Sequence, residues 1–247
     1  MEALRVNFCE APTENAVIPD VKVTIPDTYI QPNIDNEMLS NLNFRVANVA
    51  ELTDVIGTIE SFTDSLVDDL LRIAKLNDWP FDIRNQPPCK LYIEGDPYVL
   101  SNLGFVINME DNSCSRGLLL IFTILWDKHL RNISASNGFG ETQIAADVLA
   151  CVSENIRSLG IPEYGDQILW VIRVISTRVT FYKAEIPAKY LNELERGLPQ
   201  RQSVKIQRWP ANNNLKAGFD LTEPNGRRSV LTALAKIRSS LLHENDD

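Results

Sequence analysis

Gly117–Asn155 reads GLLLIFTILWDKHLRNISASNGFGETQIAADVLACVSEN, and the architecture hangs on it. The nine residues Gly117–Leu125 carry no charge. Such a run is too short to span a bilayer, which takes about 20 residues, and it suits a strand buried on both faces. It breaks into Trp126-Asp127-Lys128-His129, followed by a loop rich in Ser, Asn and Gly. From Glu141 to Arg157 the apolar residues Ile144, Val148, Cys151, Val152 and Ile156 recur at helical spacing. A buried strand thus delivers a charged cluster at its end and the chain returns along a helix, a place where sheet proteins often build a site.

Working outward, Glu51–Leu76 has the clearest helical period, through Leu52, Val55, Ile56, Ile59, Phe62, Leu66, Val67, Leu70 and Leu71. Glu60 is the acid flanking that stripe, and Pro80 stops the helix. Lys90–Asn108 reads as two strands with Asp96-Pro97 at a turn or strand edge. Beyond the central helix, Gln167–Ser176 and Arg178–Pro187 form an antiparallel hairpin or one bent strand. A short helix over Ala188–Arg196, an edge strand over Ser203–Arg208 and a last helix from about Arg227 to Leu242 complete the series. In that last helix Arg227, Arg228, Lys236 and Arg238 take the outer side. This order predicts an α/β chain with a central mixed sheet flanked by helices. Residues 1–48 are rich in Pro, Asn and Asp, with one alternating piece at Val21–Ile25. They read as an extended N-terminal arm ahead of a domain over 49–247, either unstructured or strapped over the core or a partner.

The net charge of −9 is unevenly spread. Residues 1–120 hold 8 basic and 19 acidic side chains, and residues 165–242 hold 13 basic and 6 acidic. An acidic front and a basic back allow self-association or a polyanion site, and ordinary solvated surface is the plain alternative. Four scattered cysteines without CxxC, and two histidines, argue against structural zinc. With no apolar run of 18 residues and no signal-peptide pattern, the expectation is an intracellular protein, cytoplasmic or nuclear, off the membrane.

A helix, a hairpin carrying Asp96-Pro97, a buried strand ending in Trp126-Asp127-Lys128 and a following helix resemble the PD-(D/E)xK nuclease superfamily. The chain is most similar to a group of fungal proteins in it, through Trp126–Leu130, Gly140–Ala150 with Asn155, Val171–Pro187 and Arg208–Pro210. The resemblance covers about residues 50–242. It implies a restriction-endonuclease-like core, Mg²⁺ as cofactor and DNA as substrate. The catalytic set would be Asp96, Asp127 and Lys128, with Glu60 and Gln143 in support, and Asp96 and Asp127 as metal ligands. Mg²⁺ takes oxygen ligands in octahedral array, one or two of them carboxylates, and a lysine on the same strand face stabilises charge on the phosphate.

The sequence departs from the superfamily pattern at one position. Two residues before Lys128 stands Trp126, where an acid is expected. Asp127 faces away from Lys128 on a regular strand, because side chains alternate with period 2, and only a bulge would turn it in. Three readings follow: a nuclease-like binding or scaffolding subunit with a degraded metal site, an active Mg²⁺-dependent endonuclease, or an interaction module docking through its arm. The partners implied are DNA, a second copy in a homodimer, or an intact nuclease-like relative. Arg173, Arg178, Lys183 and Arg208 are candidates for contacting a nucleic-acid backbone. Each has a bland counterpart: Asp96 as a turn residue, Lys128 as a solvated strand end, Gln143 near a helix start. Arg173, inside an apolar strand, needs either a structural partner or a cleft.

Overall fold

A computed structural model describes residues 2–30, 42, 44–47, 60–110, 115–124, 135–159, 165–214 and 216–243. For 60–62, 102, 110, 115–124, 135–137, 158 and 159 the description is of the backbone. The strands are β1 (Val6–Glu10), β2 (Phe81–Asn85), β3 (Pro88–Ile93), β4 (Asp96–Asn102), β5 (Phe105–Glu110), β6 (Ser115–Ile124), β7 (Gln167–Ile175), β8 (Arg178–Ile186), β9 (Val204–Trp209) and β10 (Phe219–Asp220). The helices are α1 (Glu60–Ile73), α2 (Glu141–Leu159), α3 (Ala188–Leu194) and α4 (Pro224–His243).

The main sheet runs β1-β9-β8-β7-β6-β5-β2, with β10 added to β8. It is mixed, as expected: β6 pairs parallel with β7 and β1 parallel with β9, while β2–β5, β5–β6, β7–β8 and β8–β9 are antiparallel. Period-2 alternation sorts β7 into two layers. Trp170, Ile172 and Val174 join α1, α4 and the N-terminal segment, and Leu169 and Val171 join α2, α3 and the β3–β4 hairpin. Helices therefore cover both faces, and each fully enclosed Leu, Ile or Val contributes ~1.5–3 kcal/mol.

Four expectations change. First, residues 2–30 are not a separate arm. Val6–Glu10 is a strand of the main sheet, Val17, Ile18 and Ile30 lie in the α1–α4 core, and Trp170 Nε1 donates to Val17 O at 2.9 Å. The segment is a strap over the core, tied to α4 by Lys236–Glu14 and Arg228–Asp27. Second, β9 is not an edge, because β1 covers it. Third, the region of Lys90–Asn108 holds three strands in two sheets. β3 and β4 pair only with each other among the described residues, and the chain enters the main sheet at Phe105. Fourth, Arg227 is buried rather than on the outer side of its helix. Of the long first helix, Glu60–Ile73 is described, and 51–59 lie outside the described residues.

Candidate functional site

The site is built where β6 hands the chain to α2. Thr123 is in register with Arg173, and Ile124 with Val174, so the end of β6 lies beside the end of β7. The register Phe105↔Phe122 carries Asn102 and Leu103 toward that same end from the other side. Trp126, Asp127, Lys128 and His129 come next in sequence and lie outside the described residues. What is described is the end of β6, the first turns of α2 and the strands beneath.

One cluster fills the β7–β8–β9 side. Arg173 continues the Leu169–Val171 face and is 1% exposed. Its Nη1 donates to Phe139 O at 2.9 Å and Asn213 Oδ1 at 3.0 Å, and its Nη2 to Thr180 Oγ1 at 3.3 Å. The guanidinium carbon sits 5.5 Å from the Tyr182 ring centroid. Arg208, in register with Tyr182, pairs with the Glu141 carboxylate and donates to Ala211 O at 2.6 and 2.8 Å. Asn213 closes the group by donating to Gly138 O at 3.0 Å. Burial raises the Glu141 carboxyl above its ordinary range, and the pull of Arg208 and Arg173 offsets this only in part. Burial likewise lowers the Arg173 guanidinium and raises the Tyr182 hydroxyl. Desolvated charges of this kind persist only when paired and hydrogen-bonded. The cluster is thus a clasp joining loops 138–139 and 211–213 to the sheet.

A second cluster fills the β4–β5 side. Ser101, at the base of the hairpin, donates to Asp147 Oδ1. Gln143, one turn earlier on α2, donates to the same oxygen at 2.7 Å. Ser101 and Asp147 are buried, whereas Gln143 is exposed. Gln143 thus lies on the first turn of α2, where it is brought to Asp147.

Asp96 is elsewhere. It follows the Glu94-Gly95 turn, both residues of which have positive φ (54° and 80°), as a two-residue hairpin of the primed type demands. Its side chain is exposed at the hairpin tip. That tip rests on the C-terminal half of α2: Tyr92 N donates to Ser153 Oγ at 3.5 Å, and the Arg157 guanidinium lies 3.8 Å from the Tyr92 ring centroid. The hairpin base meets α2 at Gln143 and Asp147, at the helix's other end. Ten residues of helix separate Gln143 from Ser153, about 15 Å at 1.5 Å per residue. The expected meeting of Asp96 with the end of β6 is therefore corrected. A hairpin inserted ahead of β5 carries the acid to the far end of the helix. Glu60 opens α1.

The basic candidates are also accounted for. Arg173 and Arg208 are interior. Arg178 pairs with Asp220 at 2.8 Å and donates to Lys216 O, and Lys183 pairs with Glu185 at 3.1 Å. They do not form a surface track: two are enclosed and two hold acids of the same chain.

The described residues do not by themselves make a Mg²⁺ site. The Asp147 oxygen takes hydrogen bonds from Ser101 and Gln143, the Glu141 oxygen faces Arg208, and Asp96 is remote. Among the described residues no three of His, Cys, Asp and Glu gather as a metal-holding group. No helix among the described residues is long and apolar enough to cross a membrane. Compared with known protein families and with curated proteins, the sequence has no match.

The expectations missed Ser101, Asp147, Glu141 and Asn213 as a set. Asp147 carried a usable signal: it sits at i+3 from Ile144 and i−4 from Cys151, on the apolar stripe, where a carboxylate requires a partner.

Proposed function

We propose that the protein is a PD-(D/E)xK-type binding subunit that has lost phosphodiester cleavage and serves as a scaffold for a protein partner. The order α1, β2, β5, β6, α2, β7, antiparallel through β6 and parallel from β6 to β7, supports kinship with that superfamily. The observation that carries the loss is the place of Asp96, exposed at a hairpin tip that rests on the C-terminal half of α2. The hairpin that carries Asp96 pairs off the main sheet, which the chain enters only at Phe105. Trp126 in the adjoining sequence removes the second acid. A protein partner is favoured over DNA because Arg173, Arg178, Lys183 and Arg208 are engaged within the chain. The three described cysteines, Cys9, Cys89 and Cys151, are free thiols, and burial pushes the Cys89 thiol up to about 11. This supports an intracellular setting.

The test is purified protein with Mg²⁺ or Mn²⁺ on plasmid and single-stranded DNA. The expected result is intact DNA, with binding no tighter than the non-specific ~10⁻⁴–10⁻⁶ M range at physiological salt. Cleavage that disappears in Asp127→Ala and Lys128→Ala variants would overturn the reading and restore an active endonuclease.

A further inference from the structure

Away from that site, a cavity of 340 Å³ opens between the strap, the end of α1 and the middle of α4. Small-molecule sites span ~300–1,000 Å³. Val23 and Ile25 of the strap, Ile73 of α1, and Leu231 and Ala235 of α4 supply apolar walls. Lys75 and Arg238 also line it, and no carboxylate among the described residues does. The charge there is unbalanced. Lys75 forms no ion pair with a described residue. Arg238 donates its Nε to Lys75 O at 3.0 Å and lies 5.6 Å from the Phe81 ring centroid, without a described acid.

The end of a helix normally repels an anion through its unpaired carbonyls. Here they are covered: Ala74 N donates to Leu70 O at 2.9 Å, Lys75 N to Arg72 O at 3.0 Å and Leu76 N to Leu71 O at 2.9 Å. The residue making this turn is Lys75, at φ 57°, where helices usually place glycine. A lysine at that position keeps an ammonium at the cavity where glycine would turn with less strain.

We propose that this cavity binds a small amphipathic carboxylate. Its alkyl chain lies against Ile73, Leu231 and Ala235, and its carboxylate is held by Lys75 and Arg238. A neutral apolar ligand would draw nothing from the two cations, and a cationic one would be repelled. Because Val23 and Ile25 form one wall, the bound molecule bridges the strap and the helical layer, so binding stabilises the strapped state.

Isothermal titration of the full chain with octanoate, octylammonium and 1-octanol tests this. The expected result is saturable one-to-one binding of octanoate, with octanol at least about tenfold weaker and octylammonium unbound. Lys75→Gly removes the ammonium while easing the backbone. It is expected to keep its thermal midpoint and to bind octanoate about tenfold more weakly or worse. Ala235→Leu, which fills the cavity, is expected to abolish binding. Absence of saturable octanoate binding in the wild-type chain would overturn the proposal. So would equal binding of octylammonium, or wild-type affinity in Lys75→Gly.

Discussion

On one side of the first turns of α2, Glu141 faces Arg208 with Arg173 beneath. On the other side, Asp147 takes hydrogen bonds from Ser101 and Gln143. Both carboxylates are buried and both groups anchor the same helix, yet they differ in kind. The first opposes full charges within a wall of three strands, and the second surrounds one carboxylate with neutral donors. The first holds loops, and the second holds the base of a hairpin. Their difference bears on the start of α2: its described acids Glu141 and Asp147 are committed to architecture. The segments that carried the family resemblance, Gly140–Ala150, Val171–Pro187 and Arg208–Pro210, supply most of the charged cluster.

The contrast is sharpest in stability. Arg208→Ala leaves Glu141 enclosed without its cation and is expected to cost about 3–5 kcal/mol in urea denaturation. Asp147→Asn keeps shape and loses charge-assisted hydrogen bonds, for about 1–3 kcal/mol. An equal or reversed ranking would break the comparison. A smaller loss, about 1–2 kcal/mol, is expected for Trp170→Phe, which deprives Val17 O of its donor and loosens the strap from β7.

Asp220 gives the comparison a pH dimension. Burial alone would raise its carboxyl, but bonds from the Thr222 amide and hydroxyl and from Thr177, with Arg178 beside it, hold it below the ordinary value. Its folded pKa is thus depressed, so its contribution is full above the unfolded pKa and is lost as pH falls through the folded one. Denaturation midpoints between about pH 5 and pH 2 should fall less steeply in Asp220→Asn than in the wild type. The smallest effect belongs to Asp96→Ala. An exposed turn side chain should shift stability by no more than about 0.5 kcal/mol.

Much of the frame was legible in the sequence, because its signals are local. The stripe of α2, the β7–β8 hairpin turning at Ser176-Thr177 and the stripe of α4 all follow from short-range periodicity. The pairing of VNFCE with β9 did not show, since a five-residue strand carries no mark of a partner so distant along the chain. The split of YVLSNLGFVIN between two sheets was equally hidden, because alternation reports a pleat and not which sheet it joins. Asp96 was read at a turn or strand edge, and it opens β4 just after the Glu94-Gly95 turn. Nothing local says which end of a helix a hairpin tip will touch. Arg173 announced its need for partners by standing in an apolar run. Glu141 did not, because an acid at a helix start is ordinarily content in solvent.

The parallel pairing of β1 with β9 has a further consequence. Val6 waits for Val204, so the main sheet stays open along one side until the chain has been made as far as β9. Contacts this distant are slow to form, and an uncovered strand edge is a template for other chains. During synthesis the edge of β8, which β9 has yet to cover, would be the surface most in need of a chaperone.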